Sequence, residues 1–195
     1  MKIIFLDRDG VINKFPGLGN YVTRVKDFHF IPGSLTAIRQ LTGMGYAIFI
    51  VSNQAGVSRG VYSQKKLDQI TKHMMTDVKK SGGKITKVFY CTHTQHHNCD
   101  CRKPKIGSIK EAMSLVNKTL KHAQKSFFVG DTNTDIEAGN NAGCRTILVL
   151  SGKDNRRATR TWKVKPDFVA QNLLEAVKIV CHEDSCLSCH SGRRA

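Results

Sequence analysis

No long apolar stretch occurs in this sequence, and no basic n-region or cleavage site precedes its first apolar segment. That pattern excludes a membrane-spanning helix and points away from export, so residence in the cytoplasm is expected. Internal repeats and low-complexity tracts are missing too. The 195 residues, 40% of them hydrophobic, therefore read as one domain able to bury its own core. Tryptophan occurs once, and acids are scarce: 15 Asp and Glu against 31 Lys and Arg leave a formal net charge of +16. A surface this basic either attracts nucleic acid or steers small anions. The cations are spread along the chain, densest at Arg156, Arg157, Arg160, Lys163 and Lys165, with no interleaved aromatic patch. A diffuse cationic surface is the favoured reading, and nucleic acid is not the favoured partner. The seven cysteines are an odd number, and four lie near His or another Cys at ligand-like spacing, which favours reduced thiols and a metal over a disulfide framework.

Apolar strand-like segments fall near residues 2–6, 46–51, 86–90, 126–130, 145–150 and 167–169, with helical patterns between them at 34–44, 63–81, 108–122, 135–142 and 172–180. Ser63 and Asn172 are expected N-caps, and Gly82-Gly83 a helix stop. Alternating β and α segments predict a three-layer, Rossmann-like α/β fold, a mostly parallel sheet with helices on both faces. No insertion is long enough for a separate cap domain, so loops alone should cover the site. The domain is expected to span residues 1–180, as a monomer. The tail at 181–195, with Cys181, His182, Cys186, Cys189 and His190, reads as a reduced, mobile segment or a second metal site. Cys144, before a strand, reads as buried packing.

Chemistry concentrates where strands end. The first strand delivers Asp7 and Asp9 in Asp7-Arg8-Asp9-Gly10, where one carboxylate can attack while the other transfers protons. The second ends at Ser52. Cys101-Arg102-Lys103-Pro104 presents a point charge suited to phosphate. Another apolar strand delivers Asp131 and Asp135. Each motif alone is weak: an Asp-Gly turn, a serine ending a strand, one lysine among many. Open α/β sheets, however, bind ligands at the edge where these motifs gather.

Acid pair, hydroxyl, lysine and acid pair, in that order over about residues 2–178, resemble the four motifs of the haloacid dehalogenase superfamily of phosphatases. The resemblance implies that Asp7 forms an aspartyl-phosphate and that Asp9 acts first as general acid, then as base. It also implies Mg²⁺ held by Asp7, the Asp9 main-chain carbonyl and Asp131. Ser52 would hydrogen-bond the transferring phosphoryl group, Lys103 would neutralise it with Arg102 in support, and Asp135 would orient the lysine or metal-bound water.

A second constellation is Cys91-Thr92-His93, five residues, then Cys99-Asp100-Cys101. Three sulfurs and one imidazole suit a closed, structural zinc site; His96 or His97 could replace His93. This loop resembles the zinc loop of the superfamily branch containing heptose 1,7-bisphosphate 7-phosphatases and histidinol-phosphate phosphatases. Asn53-Gln54-Ala55-Gly56-Val57-Ser58-Arg59-Gly60 is similar to a substrate-holding segment of the heptose enzymes, which implies that Asn53 and Arg59, with Arg102, contact the substrate. Against that subfamily, Thr92 stands where proline is usual and Thr132 where lysine is common. The implied substrate is a small phosphorylated sugar, a heptose bisphosphate first. Histidinol phosphate and a polynucleotide 3′-phosphate are the rivals, and a non-enzymatic zinc protein binding nucleic acid is disfavoured because it leaves the ordered motifs without a purpose.

Overall fold

A computed structural model describes the backbone of residues 1–191 and the side chains of residues 1–185. Its six strands are β1 (Lys2–Leu6), β2 (Tyr46–Asn53), β3 (Lys87–Cys91), β4 (Phe127–Gly130), β5 (Arg145–Val149) and β6 (Phe168–Ala170). They form one sheet in the order β3-β2-β1-β4-β5-β6, and every pairing is parallel. The order reverses between β1 and β4. Neighbouring strand ends there lead their loops apart and leave a crevice at the C-terminal edge of the sheet.

The inner strands β1, β2, β4 and β5 are buried on both faces, while the edge strands β3 and β6 are partly exposed. In β1, Ile3 and Phe5 point into one core with Phe49, Val51 and Phe128, while Ile4 and Leu6 point into the other with Ile48, Ile50 and Val129. The helices α1 (Ser34–Gly43), α2 (Gln64–Lys80) and α5 (Leu173–Ser191) cover the second core with Ala37, Leu41, Met74 and Val177. Helices α3 (Gly107–Leu115) and α4 (Asn133–Ala142) cover the first with Ile109, Met113 and Ala138. The expected three-layer architecture is present, and no domain is inserted between its elements among the described residues.

Local signals set most boundaries. Ser63 caps α2 by accepting from the Lys66 amide at 3.3 Å, and Gly82, at φ 82°, turns the chain after it. Asn172 accepts from the Glu175 amide while Glu175 reaches back to the Gln171 amide, which starts α5. Two expected helices differ. The segment predicted at 108–122 breaks after Leu115, because Asn117 takes a left-handed conformation (φ 53°) and Thr119 begins a separate 3₁₀ turn, Leu120–Lys125.

The last helix, predicted to end at residue 180, continues to Ser191. Asp184 lies 2.9 Å from the Lys2 ammonium and accepts from the Tyr46 hydroxyl at 2.7 Å, and Glu183 accepts from Arg145 at 3.1 Å. These contacts hook residues 183–184 onto the first residues of β1, β2 and β5. The chain past 180 is therefore not a separate segment as far as its side chains are described. Cys186, Cys189 and His190, the remaining candidates for a second metal site, lie outside the described side chains.

Candidate active site

Asp7 follows β1 directly, and its amide donates to the Val129 carbonyl at 2.9 Å, fastening it to β4 across the crevice. Asp131 follows β4. Carboxylate oxygens of Asp7, Asp131 and Asp135 all lie within 4.8 Å of one another, and all three residues are buried. One cation joins them: the Lys103 ammonium, 3% exposed, donates to Asp7 Oδ1 at 2.7 Å and to the Val51 carbonyl at 2.7 Å, and it pairs with Asp135 Oδ1 at 2.6 Å.

Three carboxylates against one ammonium leave excess negative charge in a place with little water. Burial, with help from Asp135 and Asp9 and against Lys103, pushes the Asp7 carboxyl up to about 6. Burial together with Asp135 and Asp7 holds Asp131 well above the usual carboxylate range. Burial alone would lower Lys103, but Asp135 and Asp7 outweigh it and hold the ammonium protonated. Two carboxylates denied their charge beside hard oxygen donors fit a divalent cation.

The backbone around Asp131 is drawn tight. A Cβ added at Gly10 or at Gly152 would collide with the Asp131 side chain, and the Lys153 amide donates to Asp131 Oδ2 at 2.7 Å. Asp135 is committed on both oxygens. Besides Lys103, it accepts from the Asp131 amide, the Thr132 amide and the Thr132 hydroxyl at 3.2, 3.0 and 2.7 Å, closing the capping box of α4. Thr132 is thus the N-cap residue of α4.

Asp9 turns away from the cluster. Its carboxylate accepts from Arg8 Nη2 at 2.9 Å, Asn13 Nδ2 at 2.8 Å and Gln54 Nε2 at 2.8 Å. Its side chain keeps 17% exposure towards the cleft that it lines. Sequence reading missed this cage of Arg8, Asn13 and Gln54. For Gln54 a signal existed, since it lies two residues beyond Ser52 and so shares its face of the extended chain.

The cleft itself has a volume of ≈ 550 Å³ and is walled by Asp7, Asp9, Ser52, Asp131, Asn20 and Tyr21, with Arg102, Lys103, Lys105 and Lys153 as its cations. Ser52, 2% exposed, sits at its floor. Of the expected substrate contacts, Asn53 and Arg102 line the cleft and Arg59 does not. Asn53 uses its carboxamide on the main chain of Lys103, donating to the carbonyl and accepting from the amide, both at 3.1 Å. Arg59 is exposed and is not among the residues lining the cleft.

Beside the cleft, Cys91 at the end of β3 meets His93, Cys99 and Cys101. The Cys91–Cys99 and Cys99–Cys101 sulfur separations are 3.6 and 3.4 Å, and His93 Nδ1 is 3.4 Å from Cys101 Sγ and 3.9 Å from Cys91 Sγ. A tetrahedron with metal–sulfur bonds of about 2.3 Å and a metal–nitrogen bond of about 2.0 Å has edges of roughly 3.5–3.8 Å, so the four atoms match a zinc-sized centre. His93 is the imidazole of the cluster. His97 instead pairs with the Thr94 hydroxyl at 2.8 Å. The loop continues into Arg102 and Lys103 of the cleft, with Arg102 Nη1 donating to the His93 carbonyl at 3.1 Å.

Among relatives, a 7-phosphatase of D-glycero-α-D-manno-heptose 1,7-bisphosphate from Photorhabdus laumondii is 36% identical over 188 residues, covering 92% of this chain and 97% of its own. The chain belongs to the haloacid dehalogenase superfamily, in its heptose-bisphosphatase family. A profile described as HAD-hydrolase-like matches residues 100–176 of this family member. A Pasteurella multocida relative, named for the β anomer of the same bisphosphate, is 35% identical over 186 residues, covering 92% and 96% of the two chains. The crystal structure of the D,D-heptose 1,7-bisphosphate phosphatase of B. bronchiseptica, complexed with magnesium and phosphate, superposes with a TM-score of 0.84 at 30% identity, covering 94% of this chain and 99% of that one. The α/β fold expected from the sequence is thus shared with a solved heptose bisphosphate phosphatase.

Proposed function

We propose that the protein hydrolyses the 7-phosphate of a D-glycero-D-manno-heptose 1,7-bisphosphate through an aspartyl-phosphate on Asp7. The observation that carries this reading is the buried set of Asp7, Asp131 and Asp135 with Lys103 paired to two of them, in a chain aligned nearly end to end with heptose bisphosphatases. Lys103 occupies Asp7 Oδ1 and leaves Oδ2 to attack phosphorus. As the P–O bond to the sugar breaks, Asp9 gives a proton to the departing oxygen. It then takes one from the water that cleaves the aspartyl-phosphate, restoring the Asp7 carboxylate and releasing phosphate. Ser52 donates its hydroxyl to a phosphoryl oxygen, and Lys103 offsets charge on the transferring group.

Asp7, Asp131 and the Asp9 carbonyl are the groups that would hold Mg²⁺, which when bound neutralises phosphoryl charge beside the nucleophile. Cys91, His93, Cys99 and Cys101 would hold zinc, a structural ion that fixes Arg102 and Lys103 at the cleft. Thiolate ligation of that kind requires a reducing compartment, which supports placing the enzyme in the cytoplasm. No helix among the described residues is long and apolar enough to cross a membrane.

The deciding experiment is phosphate release from the α and β heptose bisphosphates, histidinol phosphate and a 3′-phosphorylated oligonucleotide. Turnover of a heptose bisphosphate at least about 100-fold above the others is expected, and activity confined to the oligonucleotide overturns the reading. Arg59 enters through a narrower test. If its loop folds over bound sugar, Arg59→Ala lowers kcat/KM for the bisphosphate by about 1–3 kcal/mol and spares p-nitrophenyl phosphate, which offers nothing to grip.

A further inference from the structure

Gln54 lies entirely inside the protein and bridges two of the groups just assigned to chemistry. Its Nε2 donates to Asp9 Oδ2 at 2.8 Å and to Ser52 Oγ at 3.3 Å. A carboxamide can make those two donations only if its nitrogen faces them, and two donors on the other side dictate that orientation. The Tyr62 hydroxyl donates to Gln54 Oε1 at 2.6 Å, and Arg8 Nη2 donates to the same oxygen at 3.2 Å. Tyr62 is buried too, and burial holds its hydroxyl above its ordinary range, so it stays a donor. A flipped Gln54 would set its carbonyl oxygen against the Asp9 carboxylate and its N–H groups against Arg8 and Tyr62. Each contact would become a clash of like polarity in a site without water to relieve it.

One consequence reaches the cleft. Asp9 Oδ2 accepts from Gln54 and from Arg8 Nη2 while Arg8 and Asn13 hold Oδ1, and Gln54 is the one of these donors that sits beside Ser52, so the carboxylate plane that must meet the leaving oxygen is fixed before substrate arrives. The contact to Ser52 Oγ is the longer of the two, at 3.3 Å, and Ser52 keeps its own proton for the phosphoryl group with or without it.

We propose that Gln54, held in one amide orientation by Tyr62 with Arg8 in support, is a positioning residue that aims Asp9 for proton transfer to the leaving oxygen. Tyr62 acts only through Gln54. The inference rests on Asp9 being the general acid, as assigned above.

The test exploits leaving-group chemistry. kcat/KM covers events through departure of the alcohol, and a sugar alkoxide needs Asp9's proton whereas p-nitrophenolate leaves without it. Tyr62→Phe removes one hydroxyl, and Gln54→Met keeps the length of the side chain without its polar end. Thermal melting and metal content are measured on each variant beforehand. In both, kcat/KM for the heptose bisphosphate should fall about 10-fold while that for p-nitrophenyl phosphate changes less than about 2-fold. The double variant should be no worse than Gln54→Met alone, because Tyr62 has nothing left to orient.

Equal losses on the two substrates would make the pair merely structural and overturn the proposal. Additive losses in the double variant, or no loss in either single variant, would also overturn it. Asp9→Asn in the same two assays separates the underlying assignment: if it fails to discriminate between the substrates, Asp9 is not the acid. If it discriminates while Gln54→Met does not, Asp9 keeps its role and Gln54 loses the one proposed.

Discussion

Asp7 carries both the chemistry and a cost. In the metal-free protein its carboxyl is held at about 6 against an ordinary value of 3.8. Below about pH 4 it is protonated folded and unfolded alike. Between about 4 and 6 the folded chain keeps a proton that the unfolded chain has lost, so stability falls as pH rises through that window. Above it the full penalty applies, roughly 3 kcal/mol for a shift of that size. Denaturant unfolding of EDTA-treated protein should therefore show lower stability at pH 7 than at pH 4.5 from this group, and added Mg²⁺ should recover most of the difference at pH 7. Asp7→Asn should abolish turnover without lowering the melting temperature of the metal-free protein, because it removes one of three crowded charges and leaves Lys103 paired with Asp135. A lower melting temperature would mean that the Lys103–Asp7 pair is a net stabiliser. The places of Asp7, Ser52, Lys103 and Asp131 were legible in the sequence because each lies at or just past the end of an apolar strand or beside a ligand motif. The direction of Asp9 was not, since an arginine between two aspartates reads as surface charge until the fold shows that Arg8 has no exposure.

Among the elements, the segment from Cys91 to Lys103 matters most. It leaves β3, meets itself at the Cys/His cluster and returns Lys103 to the floor of the cleft, where Asn53 at the end of β2 grips its backbone twice. Replacing Cys99 and Cys101 together with serine should release the zinc, lower the melting temperature and cut kcat through misplacement of Lys103. Elemental analysis of the purified parent protein should find about one zinc per chain. Full activity and unchanged melting without zinc would remove the structural role of the cluster. Cysteine spacing made this loop readable. The resemblance of residues 53–60 pointed to Asn53 as a cleft residue, but not to its hold on Lys103, 50 residues away, because a backbone partner leaves no sequence pattern. The break at Leu115 escaped for a similar reason: Asn117 in a left-handed conformation leaves little trace among residues 108–122, which otherwise keep helical spacing.

For the molecule as a whole, a charge of +16 surrounds a cleft whose own centre is negative. The basic surface should raise the encounter rate of an anionic bisphosphate, so kcat/KM should fall several-fold between about 20 mM and 300 mM salt while kcat holds nearly constant. A salt-independent kcat/KM would leave the charge without a kinetic role. Alternating β and α patterns sufficed to foresee the parallel sheet, but not the reversal between β1 and β4, which follows from crossover handedness and packing of the finished layers. Parallel pairing puts the site residues at one edge, and the reversal opens the crevice there. At the opposite edge the charged hooks of α5 bind the first residues of β1, β2 and β5. For anyone tethering this enzyme to a bead, an electrode or a neighbour in an engineered cascade, that edge is the natural handle: a linker joined ahead of Lys2 points away from the mouth of the cleft, and immobilised protein should turn over substrate at the rate of the free enzyme.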